Sequence, residues 1–217
     1  MSTPSAPSVP PDGPTAPASA AASLDALEEQ QRRTARGIRP HPLGLYLPWG
    51  VGYLVAFGGA WLASGPDAVL PESVATVLVI VGALVPGVGS AVTLSRANRG
   101  LSGPSRRVAV MYGWSWILGF AALTLVNGRI ADSGVTPGTL SLIWSGSALV
   151  LVGVLLLVGG VRWPDSGQYA LGVWILATAV VAVLVGYPAD LLALALLGGG
   201  GLVVAAVVLA IRSGRRA

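Results

Sequence analysis

Residues 49–57 read WGVGYLVAF, nine positions with no charge, set inside a run from 43 to 64 that contains no charged residue at all. A stretch of about 20 apolar residues is what a helix needs to cross the hydrocarbon core of a bilayer. Five further runs of that kind follow, at 71–94, 107–127, 137–160, 167–187 and 188–211. The break between the last two rests on GYPAD, 186–190, where Pro188 offers no amide hydrogen and its ring opposes the preceding turn, so a tight reversal is expected. The fold class predicted is an all-α polytopic membrane protein of six transmembrane helices.

The bulk composition agrees. Of 217 residues, 53% are hydrophobic and 10% charged, against about 25% charged in a soluble domain, and the mean hydropathy is +0.74. The absence of cysteine excludes disulfides, thiolate catalysis and Cys-ligated metals. All 13 basic residues are Arg, and their net excess of +4 lies in loops and tails beside apolar runs. It therefore reads as a topology signal and not as a nucleic-acid footprint.

Basic residues of short loops stay in the cytoplasm. Arg32, Arg33, Arg36 and Arg39 precede the first span; Arg96, Arg99, Arg106 and Arg107 lie between the second and third; Arg162 follows the fourth; Arg212, Arg215 and Arg216 end the chain. Only Arg129 falls on the other side, with Asp67, Glu72, Asp132 and Asp190. Both termini are expected in the cytoplasm of a bacterial plasma-membrane protein.

The domain reading has four parts. Residues 1–22, rich in Pro, Ser and Ala, bury too little to offset the entropy of ordering and are expected to be a disordered tail. Residues 23–39 place acids before Arg, with Glu28–Arg32 and Glu29–Arg33 four apart, and predict a short charged helix. It would orient the chain, meet anionic lipid head groups or dock a soluble partner. The transmembrane domain occupies 43–211, and 212–217 is a basic tail.

WGVGYLVAF recurs as YGWSWILGF at 112–120 and more weakly as ALGVWILAT at 170–178. At an interval of four, Trp49, Tyr53 and Phe57 share one helical stripe, as do Tyr112, Trp116 and Phe120. Gly52 with Ala56, and Ser115 with Gly119, form adjoining small-residue stripes of the kind that lets helices approach closely in lipid. In the third copy Trp174 and Ala177 persist, while Val173 and Thr178 depart. The main expectation is packing, in the core or in an interfacial aromatic belt with Trp61, Trp144 and Trp163. The functional alternative is that the ladders face one another and line a cavity for an apolar or cationic guest. Spans two, four and six each start at a proline, Pro71, Pro137 and Pro188, so three parallel helical-hairpin repeats are a further expectation.

Two segments are candidate hinges. Pro86 and Gly87 interrupt the second span within VPGVGS, and Gly199 and Gly200 stand in GGGG, 198–201, where each Gly lowers helix propensity by about 1 kcal/mol relative to Ala. Transporters build sites at broken helices. No Asp, Glu, Arg or His is expected inside a span, with Glu72 and Asp190 at the outer edge, which argues against proton-coupled pumps and voltage sensors. His41, the one histidine, sits in RPHPL at the cytoplasmic edge, so neither a multi-His metal site nor a His-based triad within the membrane is expected. No phosphate-binding motif is present. Neither catalysis nor a cofactor is expected.

Over ALEEQQRRTARGIRPHPLGLYLPWGVGYLVAFGGAWL, 26–62, the chain resembles small six-span membrane proteins of actinobacterial type whose role is not established and which are sometimes loosely labelled transporters. The resemblance covers the charged helix and first span, extends beyond them only by span count and loop charge, and transfers no catalytic or binding residue. Two roles follow from the whole reading. The first is a non-enzymatic docking or scaffolding membrane component, with residues 23–39 as handle. The alternative is a small permease, or the membrane subunit of a transporter energised by a separate ATPase. A homo-oligomer is compatible with either, and nucleic acid with neither.

Overall fold

The structure is a computed structural model and describes residues 22–25, 42–98 and 104–214. It divides into two units, Met1–Arg39 and Pro40–Ala217. In the first, residues 22–25 form a helical turn. The remainder of the expected tail and charged helix, with Arg32, Arg33, Arg36 and Arg39, lies outside the described residues, as do His41, Arg99, Arg215 and Arg216.

The second unit is built of helices: α1 (Pro42–Leu62), α2 (Glu72–Asn98), α3 (Pro104–Ala131), α4 (Pro137–Arg162), α5 (Ser166–Val185), and a last span in three pieces. Those pieces are α6 (Ala189–Ala193), a π-helical segment (Leu194–Gly200) and α7 (Gly201–Gly214). Among the described residues six helical stretches are thus long and apolar enough to cross a membrane, the last from Ala189 to Arg212. The protein is an all-α, multi-pass membrane protein.

The span boundaries follow from local chemistry. Thr136 caps α4, its hydroxyl accepting from the Thr139 amide at 3.3 Å, with Pro137 in the first turn. Asp165 caps α5, accepting from the amides of Gly167 and Gln168 at 2.9 and 3.1 Å. A side-chain acceptor at this position answers amides that have no partner within the helix. At the expected reversal α5 stops at Val185, Gly186 adopts φ +75°, Pro188 follows a cis peptide bond, and α6 begins at Ala189. The left-handed φ explains glycine at 186.

Close backbone approach holds the helices together. A Cβ on Gly82 of α2 would stand 2.5 Å from the Gly52 carbonyl oxygen of α1 and 2.9 Å from the Ala56 methyl. On α1's other side, a Cβ on Gly50 would stand 2.9 Å from the Gly199 carbonyl oxygen. Between α4 and α5, a Cβ on Gly172 would stand 2.9 Å from the Gly153 carbonyl oxygen and from the Leu157 amide nitrogen. Lipid tails are as apolar as leucine, so association depends on such van der Waals contact. The core proper is Leu149, Ile175, Ala179, Ala182 and Leu194, with Tyr53 and Phe57 packed on it.

The most extensive pairings are α1 with α2, α4 with α5, and α1 with the last span. Pairing of α4 with α5 crosses the boundary between the second and third of the three expected hairpins. α3 lies against α4, and nothing in its apolar window is buried.

Candidate functional site

The first aromatic stripe is interior. Tyr53 and Phe57 pack with ring centroids 5.1 Å apart against the core, and the Trp49 indole donates to Ser90 Oγ of α2 at 2.8 Å. Gly52 and Ala56, on the adjoining stripe, are buried against Gly82. The second stripe lies on the flank where α3 meets α4. There the Tyr112 hydroxyl donates to the Leu155 carbonyl at 2.6 Å, and Tyr112, Trp116 and Phe120 follow one another at 6.3 Å steps. Tyr112 also meets Trp163 edge-on at 5.0 Å, and the Arg162 guanidinium stands over the Trp163 ring at 6.0 Å. Gly119 faces Leu151, whereas Ser115 is exposed and bonds back to the Met111 carbonyl.

The two ladders therefore serve different interfaces and do not face each other across a common space. A depression of about 410 Å³ lies elsewhere, lined by Val126, Arg129, Ile130 and Ser133 at the end of α3. It opens at the surface where Arg129 pairs with Asp132 at 3.6 Å.

The third copy turns a different face inward. Gly172, Ile175, Thr178 and Ala179 are buried, while Val173, Trp174 and Ala177 are exposed. Trp174 nonetheless has a specific partner, its indole donating to the Leu197 carbonyl at 2.9 Å. Leu197 belongs to the π-helical segment, and its carbonyl also accepts from the Gly201 amide. The ring lies so close over Gly201 that a Cβ there would collide with Nε1. Of the candidate hinge glycines, Gly199 is pressed against Gly50 and Leu54, while Gly200 and Gly87 face open space. Pro86 sits fully buried in a helix that continues through it, its ring 3.0 Å from where a Gly52 Cβ would be.

One expectation is corrected. Asp190 is expected at the outer edge, with no ionisable group inside a span. In the structure it is the second residue of the Ala189–Arg212 span and completely buried. Its Oδ2 accepts from Ser141 Oγ of α4 at 3.1 Å, and its Oδ1 has no hydrogen-bond partner. The reason is geometric: the Gly186 reversal is short, so α6 begins directly after Pro188 and packs against α1 and α5. Ser141 and Ser145 were also missed. Their signal was a spacing of four on α4, which puts two hydroxyls on one face, together with a carboxylate directly after Pro188.

Asn127 is a second buried polar group that the sequence reading passed over, donating to Ser147 Oγ at 2.9 Å across the α3–α4 contact. Among the described residues no group of three or more His, Cys, Asp or Glu is placed to hold a metal ion. Comparison of the chain with protein-family models, with curated proteins and with solved structures finds no match in any of the three.

Proposed function

We propose that the chain is a small permease, working alone or as the membrane subunit of a transporter whose energy comes from a separate ATPase. The observation that carries this reading is the build of the last span, in which the π-helical Leu194–Gly200 separates α6 from α7. π-Helical turns are rare and concentrate at functional sites, and interrupted helices are where transporters bind and gate. Here the interruption has its own fastening, the Trp174 indole on the Leu197 carbonyl. A span whose irregular turn is fastened by a side chain from α5 can repack when that bond opens, which is what gating requires.

The docking role, the first of the two drawn from the sequence, assigns its chemistry to residues 23–39, most of which lie outside the described residues, so its support is the charge pattern alone. The permease reading retains the expected placement of both termini in the cytoplasm, with the Arg-rich segments against anionic head groups. It makes no use of a catalytic residue or cofactor.

Gly200→Ala tests it. A Cβ at 200 meets nothing within 4 Å, so the change adds no clash and acts by favouring ordinary α-helix by about 1 kcal/mol. Proteoliposomes loaded with a mixed pool of small solutes, with any co-purifying ATPase and ATP included, are compared by mass spectrometry with protein-free vesicles. The expected outcome is loss of a solute class from the protein-containing vesicles, slowed several-fold by Gly200→Ala at unchanged thermal stability. Retention of every solute by the unmodified protein would overturn the proposal.

A further inference from the structure

The last span also carries a chemical group that needs a partner. An ionised carboxylate only accepts hydrogen bonds and has about four lone-pair sites to fill. Asp190 fills one of them from Ser141 Oγ; the amides of Leu191 and Asp190 and the Ser145 hydroxyl lie near the same carboxyl, the buried Ser145 hydroxyl itself donating to the Leu142 carbonyl at 3.4 Å. Oδ1 has an accessible area under 1 Å² and no partner. A buried charge left in that state is costly unless a counter-charge or a proton neutralises it.

No cationic side chain answers it among the described residues. The elements around Asp190 are α1, α5 and the π-helical segment, with α4 reaching it through Ser141. Their ionisable groups are Tyr46 and Tyr53 on α1, Tyr169 on α5, and Arg162 on α4. Arg162 is 21 residues from Ser141, about 30 Å along the helix. Tyr187, in the turn before α6, is the other neighbour in sequence. At the same end of the bundle, Asp67, Glu72 and Asp132 are exposed acids, and Arg129 is turned to Asp132 at the surface.

We propose that Asp190 is a proton-binding site, protonated on Oδ1 while α4 and the last span are in contact. Ser141 occupies Oδ2 as a donor, which leaves Oδ1 for the proton, and the closure of Oδ1 favours the one cation that needs no space of its own. When the contact with Ser141 opens, the proton passes from Oδ1 to water and leaves a hydrated carboxylate; closure requires its return. The Asp190 carbonyl accepts from the Leu194 amide, so the site is one hydrogen bond from the first residue of the π-helical segment. Asp190 would supply a permease with its coupling proton, but the assignment rests on the carboxyl's own surroundings and not on the permease reading.

The test is infrared difference spectroscopy on the full chain in lipid nanodiscs at neutral pH. A carboxylic-acid C=O band is expected, absent from Asp190→Asn and moved to higher frequency in Ser141→Ala, which removes the donor and keeps the acid. On transfer to D₂O with the protein still folded, the band is expected to shift, showing exchange with bulk water. Absence of the band from the unmodified protein would overturn the proposal. So would a band that never shifts in D₂O, which marks a locked structural proton. Sodium-dependent thermal stabilisation, lost in Asp190→Asn and unaccompanied by the acid band, would equally overturn it in favour of a metal cation. Because the spectrum reads Asp190 directly, silence in the solute experiment leaves this result standing, and a missing band leaves any transport standing.

Discussion

Gly172 is a residue at which packing is unforgiving. The atoms a Cβ would meet there are the Gly153 carbonyl oxygen and the Leu157 amide nitrogen, both backbone, so no rotamer change relieves the collision. Gly172→Ala is expected to separate α4 from α5 and cost about 1–3 kcal/mol, read as a lowered thermal midpoint in detergent. Gly87→Ala faces open space and is expected to leave the midpoint unchanged or raise it slightly. Equal midpoints for the two variants would mean that glycine contact does not hold this pair. Trp174→Phe keeps the ring and removes the donor to Leu197; a loss of about 1 kcal/mol is expected, with faster amide exchange over 194–201. The small-residue contacts of Gly52 and Ala56 were legible because a spacing of four fixes a shared face. The burial of Asp190 was not, because the hydroxyl that meets it, on Ser141, lies 49 residues earlier.

At the scale of elements, the six spans could be read almost to their ends, since each apolar run stops at Pro, Gly or charge. Which face of each helix points inward was far less legible. α5, for example, is SGQYALGVWILATAVVAVLV, apolar all round apart from a few polar residues, and such a helix has no polar side to mark its outside. The matching of 170–178 to 49–57 consequently found similar residues on a differently rotated helix. The π register over Leu194–Gly200 was legible only as weakness, four glycines of poor propensity. Leu197 within it accepts from the Trp174 indole 23 residues earlier, a partner that local sequence does not announce.

Across the span-bearing unit, charge divides the two ends, with Arg129 and Asp165 as the exceptions among the described residues. Arg96, Arg106, Arg107, Arg162 and Arg212 lie where α2, α4 and α7 finish and α3 begins, and Asp67, Glu72, Asp132 and Asp190 lie at the other end. The orientation proposed from this division can be read with single cysteines, since the chain has none of its own. Ala68→Cys, exposed in the α1–α2 turn, is expected to react with a membrane-impermeant maleimide on intact cells. Ser102→Cys, between the second and third spans, is expected to react only after permeabilisation. The reverse pattern would invert the topology.

The placement of α1 also bears on how the protein is made. Gly52 joins it to α2, the next helix synthesised, but Gly50 joins it to Gly199 and Val203, which leave the ribosome only after the spans between them have been made. Until then one side of the first helix meets lipid, or whatever chaperone the insertion machinery offers, where the sixth span will later lie. Closure of this side therefore waits on the sixth span, and a nascent chain arrested before residue 189 would retain the α1–α2 contact and lack it.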